Sequence, residues 1–185
     1  MKKNLTSKKI NKNPSGFSMM EIVIAVFLIS TGLIVAVELI SSGVASSMNS
    51  RDQLIATELA QEGLELVRNM RDNNWAKGDD SFTHIPADET CSIDYTQDAS
   101  QMHCPNSLGT SKLYLEDNTN LYTCSPSATD TKFHRNIINT ASGSDMIITS
   151  LVSWDGSFPE SESECTTINK CVYAQIKLTT WGEQL

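Results

Sequence analysis

The sequence changes from polar to apolar at Ser15-Gly16-Phe17-Ser18-Met19-Met20-Glu21, and an almost unbroken apolar run continues from there to Val37. One carboxylate, Glu21, lies a single helical turn inside that run. A secretory signal peptide would place its cleavage site after the apolar run, behind small residues. Here the polar-to-apolar boundary precedes the run, and no such site appears before Ala45-Ser46-Ser47. This order of features argues against a secretory signal peptide.

The segment Gly16–Glu21 resembles the cleavage and N-methylation motif of type IV pilins and of type II secretion pseudopilins. The resemblance implies that a membrane aspartic peptidase cleaves the chain between Gly16 and Phe17 and methylates the new Phe17 amine. Met19 and Met20 stand where the family most often has leucine and another aliphatic residue. Both methionines are apolar and unbranched at the β-carbon, so we expect processing to occur.

The apolar run is long enough to cross a bilayer, because the 21 residues from Phe17 to Val37 span roughly 31 Å as a helix. Residues 17–43 are predicted to be the transmembrane half of a long helix, which in the family is buried in the filament core after assembly. The leader, residues 1–16, carries five lysines and no acid. By the positive-inside rule the leader stays cytoplasmic, and the chain from Ser46 onward lies outside. The expected location is the cytoplasmic membrane, with a single span, and then an extracellular filament.

Two carboxylates lie in or beside the apolar run. An acidic residue within a membrane helix is costly, so Glu21 is a functional candidate. Because an α-amine is mostly protonated at neutral pH, the processed Phe17 amine of a neighbouring subunit could pair with Glu21. We therefore predict an assembly role for Glu21, with a simple interface carboxylate as the alternative. Glu38 is interpreted as an interface glutamate that reaches headgroup water, with a buried pairing role as the alternative.

The helical pattern continues past the membrane with a polar face, which predicts an amphipathic half over residues 44–74 that lies on an apolar surface. Its predicted end is Arg71-Asp72-Asn73-Asn74, because asparagine tolerates the left-handed C-cap conformation. A coiled-coil stalk is the alternative, but no heptad pattern lasts long enough to support it. The predicted buried stripe contains Leu54, Ile55, Leu59, Leu66, Val67 and Met70, with Gly63 on the same side.

Residues 75–111 are predicted to be a variable loop, rich in Asp, Ser, Thr and Asn, with a short strand near Cys91–Tyr95. Residues 112–185 are predicted to form an antiparallel sheet with one side packed against the helix and the other side wet. The fold class is therefore α+β, and the resemblance implies a pilin-like arrangement of the helix and the sheet. The predicted strands are Lys112–Leu115, Leu121–Cys124, Phe133–Asn139, Asp145–Trp154 and Cys171–Trp181.

All five cysteines lie in the part predicted to be extracytoplasmic, where disulfides persist. Cys165 and Cys171 bracket a turn before the last strand and are expected to form a disulfide, and pilins often carry a C-terminal disulfide. The other three, Cys91, Cys104 and Cys124, allow three pairings with one thiol left over. Cys91–Cys104 is the pairing that we favour.

Several kinds of site are disfavoured. His103-Cys104, with Cys91 and Cys124, matches no usual zinc spacing. Asp79-Asp80 and Asp117-Asn118-Thr119-Asn120 are interpreted as turn formers rather than calcium ligands. The sequence has no phosphate loop, nucleophile elbow or paired acid/base signature. We therefore expect no metal, no cofactor and no enzymatic activity.

The charge balance disfavours nucleic acid as a partner. Five of the 14 Lys and Arg residues lie in the leader, so after cleavage 22 acidic side chains would outnumber nine basic ones. Backbone binding to nucleic acid needs clustered cations.

Taken with the resemblance, these features predict a structural subunit, major or minor, of a type IV pilus-like filament. The implied partners are other pilin subunits, the prepilin peptidase/methylase, a polytopic platform protein, an assembly ATPase and the inner membrane. The alternatives are a type II secretion pseudopilin and a membrane-anchored surface or adhesion domain that never polymerises.

Overall fold

The computed structural model describes residues 16–96, 102, 104, 111–168 and 170–180. Within these residues the fold is α+β, with a long N-terminal helix and a C-terminal antiparallel sheet, so the predicted fold class is confirmed. The chain divides into two compact units, residues 1–47 and 48–185. The elements in chain order are α1 (Met19–Lys77), β1 (Glu89–Cys91), β2 (Lys112–Leu115), β3 (Tyr122–Thr123), β4 (Thr129–Ser142), β5 (Asp145–Ser153), α2 (Glu162–Thr167) and β6 (Cys171–Leu178).

In the first unit, α1 is an apolar helix whose residues are all exposed. The hydroxyls of Ser30 and Thr31 do not interrupt this surface. Ser30 Oγ donates to Val26 O, and Thr31 Oγ1 donates to Phe27 O at 3.1 Å. Both hydroxyls thereby satisfy their donors within the helix itself.

The second unit is organised by its sheet, whose strand order is β3-β2-β4-β5-β6 with β1 paired to β4. All of these pairings are antiparallel. The bounds of β2 are those predicted, and β5 and β6 begin at the predicted residues. The strand β4 is longer than the predicted Phe133–Asn139, because its first part pairs with β2 and its second part pairs with β1 and β5. The short strand β1 begins at Glu89, two residues before the predicted start at Cys91.

The second half of α1 packs on one face of the sheet, here called the inner face. Of the predicted stripe, Leu59, Gly63, Val67 and Met70 are buried, whereas Leu54 is 63% exposed. The prediction was therefore wrong for Leu54 and missed small residues that let the helix approach the sheet. The buried residues of α1 are Ala56, Leu59, Ala60, Gly63, Leu64, Val67, Met70, Arg71 and Asn74.

Two apolar clusters form this interface, and Val172, Ala174, Ile176 and Leu178 of the last strand contribute to them. One cluster joins Leu64, Val67 and Met70 of α1 to Ile148 and Leu178 of the sheet. The other cluster centres on the aromatic and aliphatic residues at the opposite end of the interface. Its buried members are Ala56, Leu59, Ala60, Leu113, Phe133, Val152 and Trp154.

The helix ends later than predicted. It continues through Arg71-Asp72-Asn73-Asn74 to Lys77, and Gly78 follows with φ +84°, the left-handed conformation that glycine adopts readily after a helix. Asn74 does not cap the helix. Its side-chain amide is buried and donates to Ser81 O at 3.3 Å and Thr83 O at 2.6 Å, so it holds the chain that leaves the helix.

The outer face of the sheet was predicted to be exposed to solvent, and this prediction was wrong for part of the face. A segment that we call the crossing loop, residues 154–168, covers part of this face and buries Thr149 and Leu151 of β5 beneath it. Asn136 Nδ2 donates to Pro159 O at 3.0 Å, and His134 packs edge-on against Phe158 with ring centroids 4.5 Å apart.

The crossing loop also contains α2, which the sequence analysis missed. Ser161 is its N-cap and accepts a hydrogen bond from Glu164 N at 3.3 Å. The pattern Ser161-Glu162-Ser163-Glu164 is a capping signature that could have revealed this helix.

Candidate functional site

The start of α1 gathers the residues of the predicted processing motif. Gly16, Phe17 and Ser18 precede the helix, and Ser18 O accepts hydrogen bonds from Glu21 N at 3.0 Å and Ile22 N at 3.2 Å. The Phe17 residue is 80% exposed, and a Cβ built on Gly16 would meet no atom within 4 Å. The bond between Gly16 and Phe17 therefore lies outside the helix, and no described residue crowds Gly16.

Glu21 lies in the first turn of α1 and is exposed. A carboxylate at this place is favoured by the helix macrodipole, whose N-terminal end is positive. Phe17 precedes the first residue of the helix and lies four positions before Glu21 in the chain. Glu21 is the only charged residue within residues 16–37 and lies at the start of an apolar surface.

That apolar surface extends around the whole first unit of α1. Its most hydrophobic 18-residue window has a mean hydropathy of 2.6, and none of that window is buried. By length and composition, this part of the helix is a candidate membrane span. Glu38 is exposed at its far margin. The exposed large apolar residues of this part are Phe17, Met19, Met20, Ile22, Val23, Ile24, Val26, Phe27, Leu28, Ile29, Leu33, Ile34, Val35, Val37, Leu39, Ile40 and Val44.

Two disulfides lie in the second unit, and they are the pairs favoured by the sequence analysis. Cys91–Cys104 has a Cα–Cα distance of 4.5 Å and ties β1 to residue 104. Cys165–Cys171 has a Cα–Cα distance of 5.3 Å and ties α2 to the start of β6. Cys124 carries a free thiol, and burial, with the nearby Asp94 carboxylate, raises its pKa to about 11.

The residues considered as metal ligands have other roles where they are described. A Glu89 carboxylate oxygen lies within 4.8 Å of the Cys91 and Cys104 sulfurs, but these sulfurs form a disulfide and are not thiolates. Asp80 Oδ1 accepts from Phe82 N at 2.9 Å, and Asp117 Oδ1 accepts from Thr129 Oγ1 at 2.8 Å. His103 lies outside the described residues.

A buried arginine that the sequence analysis missed joins α1 to the sheet. Arg135 of β4 is 1% exposed, and its guanidinium donates to Leu59 O at 3.1 Å and to Ile93 O at 2.5 Å. The Glu62 carboxylate lies 3.5 Å from Nη1 and balances the charge. The alternation of Phe133, Arg135 and Ile137 places Arg135 on the inner face and was the available signal.

Gly63 allows α1 to approach the sheet closely enough for Arg135 to reach the helix. A Cβ built on Gly63 would lie 2.6 Å from Ser150 Oγ, 2.8 Å from Ile137 Cδ1 and 3.1 Å from Arg135 Cδ. Any larger residue would therefore force these side chains or the helix itself to shift at this point.

Asp94 is the anchor of the segment that follows β1. Its carboxylate accepts hydrogen bonds from Thr96 Oγ1 at 2.6 Å, Thr96 N at 2.9 Å, Thr123 Oγ1 at 2.9 Å and Cys124 N at 2.6 Å. Burial by itself raises the pKa of Asp94, but these hydrogen bonds to the charged form outweigh it and lower the pKa below its ordinary value. Asp94 thus holds the segment against β3 as a carboxylate.

Comparisons of the chain with protein-family models, with curated proteins and with solved structures found no match.

Proposed function

We propose that this chain is a structural subunit of a type IV pilus-like filament, processed between Gly16 and Phe17 and assembled through the first unit of α1. The observation that carries the proposal is an apolar helix exposed on every side. The Gly16–Phe17 bond precedes this helix, no described residue crowds Gly16, and Glu21 lies in the first turn of the helix.

A helix that is apolar all round must be buried in lipid or in protein. Before assembly the cytoplasmic membrane supplies that environment, and after assembly neighbouring apolar helices supply it. Glu21 would be costly in either environment unless a cation pairs with it. The amine of a processed Phe17 on a neighbouring subunit has the right charge.

The partners in this proposal are other subunits of the same kind, a prepilin peptidase/methylase, a platform protein and an assembly ATPase. The second unit is the part displayed outside. The two disulfides agree with an oxidising compartment for it.

Mass spectrometry of the N-terminus tests processing and polymerisation together. The protein is purified from host membranes and from material sheared off the cell surface. We expect a chain that starts at methylated Phe17 in the sheared fraction. A chain that starts at Met1, with none in the sheared fraction, would refute the proposal.

Glu21→Val tests assembly separately from processing. We expect the variant to be cleaved at Phe17 but to give no sheared filament, because the apolar core would lose its carboxylate. Glu38→Gln is the matched control, since an interface carboxylate is dispensable and its filament yield should equal that of wild type. Wild-type filament yield from Glu21→Val would contradict the assembly role.

The candidate span by itself also agrees with a second function, a membrane-anchored surface domain that never polymerises. That function predicts an uncut leader and a dispensable Glu21. A type II secretion pseudopilin would instead be processed at Phe17, and its loss would cause a secretion defect without visible fibres.

A further inference from the structure

The two edges of the sheet differ in how they are protected against strand pairing. At one edge, β3 has only two residues. At the other edge, β6 has eight residues, pairs with β5 along one side and, among the described residues, has no strand on its other side. Native proteins usually block such an edge with proline, a bulge, charges or a very short strand. β6 contains one charged residue, Lys177, and no proline.

The hydrogen-bond phase of the β5–β6 pair shows which backbone groups face the free side. Trp154 N donates to Lys170 O at 3.1 Å, in the same register that places Ser153 opposite Cys171. In an antiparallel pair, hydrogen-bonded and non-hydrogen-bonded residue pairs alternate. The amide and carbonyl groups of Tyr173, Gln175 and Lys177 therefore point away from β5.

The side chains along this edge leave room for an added strand. Toward the inner face, Val172, Ala174 and Ile176 are packed against the core clusters but are only half-buried. Toward the outer face, Tyr173 is 44% exposed and Gln175 is exposed. An adjacent strand would cover the apolar row and give partners to the free backbone groups.

We propose that the β6 edge pairs with the β6 edge of a second copy of this chain, antiparallel and centred on Gln175. This register hydrogen-bonds all three outward-facing residues, with Tyr173 opposite Lys177 of the partner subunit. The small Ala174 then faces the larger Ile176 of the partner subunit. A register centred on Lys177 would oppose two ammonium groups, which is destabilising.

This pairing is isologous and closes on itself, whereas a filament needs heterologous contacts. The β6 interface is therefore a property of the second unit and does not rest on the proposed filament function.

Cysteine cross-linking tests the interface and its register. The full chain is used in detergent micelles, in a Cys124→Ser background that removes the free thiol. Directly opposed hydrogen-bonded residues have Cα atoms about 5.5 Å apart, within disulfide range. In the proposed register, two copies of residue 173 are four positions apart along the strand, roughly 14 Å. The two copies of residue 177 are separated equally.

We expect a mixture of Tyr173→Cys and Lys177→Cys chains to oxidise to a covalent dimer at twice the 20.3 kDa chain mass. Neither variant alone should do so. Equal cross-linking of each variant alone, or no dimer in the mixture, would overturn the proposal.

A proline variant tests the edge without introducing a thiol. Tyr173→Pro removes an outward-facing amide but leaves the β5 ladder intact, whereas Tyr173→Thr keeps the amide and serves as the control. We expect loss of the dimer for Tyr173→Pro and a dimer for Tyr173→Thr, measured by sedimentation in detergent. Near-ultraviolet circular dichroism establishes that both variants are folded. An undiminished dimer in folded Tyr173→Pro would contradict the proposal.

Discussion

The two halves of α1 differ in how their apolar side chains are distributed and covered. Residues 19–47 have apolar side chains on every face, and all of them are exposed. Residues 56–74 confine their buried positions to one stripe, and that stripe is already covered by the sheet. A helix with a stripe needs one partner surface, whereas a helix apolar all round needs to be surrounded. The second half is thus completed by its own chain, and the first half requires lipid or other chains.

The charges in the two regions show the same contrast. Arg135 is almost fully buried, yet the chain supplies two carbonyl acceptors and the Glu62 carboxylate. Glu21 lies on an exposed apolar surface, where the charge is inexpensive in water but costly once lipid or protein surrounds it. The difference is that the described residues supply partners for the buried Arg135, whereas no described ion pair involves Glu21.

The largest expected effect comes from making the same glycine-to-leucine substitution at one position in each half of α1. Gly63→Leu should lower the free energy of unfolding of the second unit by about 3 kcal/mol, because its side chain would overlap Ser150, Ile137 and Arg135. Gly43→Leu should leave that free energy unchanged, since a Cβ at Gly43 meets no atom within 4 Å. Urea unfolding in detergent, monitored by tryptophan fluorescence, measures the free energy of unfolding of both variants. Equal effects of the two variants would remove the distinction between the halves.

A smaller effect is expected from the buried arginine. Arg135→Met should cost about 1–3 kcal/mol, because Ile93 O would lose its donor in a buried place. Lys132→Met is the control, since it breaks the more exposed Lys132–Asp52 ion pair, which also joins β4 to α1. That change should cost less than about 1 kcal/mol. If the two costs were the same, Arg135 would not be the contact that holds the second half of the helix.

The smallest effect is a pH dependence confined to the second unit. Burial, with a further contribution from Lys112, lowers the pKa of His134, while Asp130 and Asp155 oppose the shift. The unfolded chain therefore binds more protons than the fold below about pH 6.5, so stability is full above that pH and falls as the pH decreases through it.

Urea unfolding between pH 7 and pH 5 measures this dependence. His134→Gln should flatten it, whereas His84→Asn, at an exposed residue, should not. A slope that is unchanged in His134→Gln would show that the crossing loop does not protect the neutral imidazole. The carboxylates with lowered pKa, Asp94, Glu116 and Asp155, titrate at lower pH and do not contribute in this window.

Local patterns predicted the elements of this fold well. The alternation in 145–153 and 171–178 and the polar-to-apolar change at Gly16 involve neighbouring residues only, so the sequence alone reveals them. The burial of Asn74 depends on the carbonyls of Ser81 and Thr83, which are placed by tertiary structure. Because the residue type favours a cap, local reasoning ended the helix too early.

The inner stripe shows a second limit of sequence reasoning. Hydrophobicity predicted burial of Leu54 rather than of Ala56 and Ala60. The helix approaches the sheet closely at Gly63, so the two alanines lie against the sheet and Leu54 is exposed. The outer face shows a third limit, since the crossing loop is held by contacts such as Asn136 to Pro159 that no periodicity contains. For the candidate site, the motif alone identifies Gly16, Phe17 and Glu21, and their processing and assembly roles stay predictions because they involve other molecules.

The contribution of β6 to the α1 interface has a consequence for the order of folding during synthesis. Leu178 and Ile176 seal the same cluster as Leu64, Val67 and Met70, although the helix leaves the ribosome long before them. The stripe on α1 can therefore be covered completely only after translation has passed β6, because contacts between distant residues form late. Ile137 of β4 and Ile148 of β5 belong to the same cluster and can cover part of the stripe earlier.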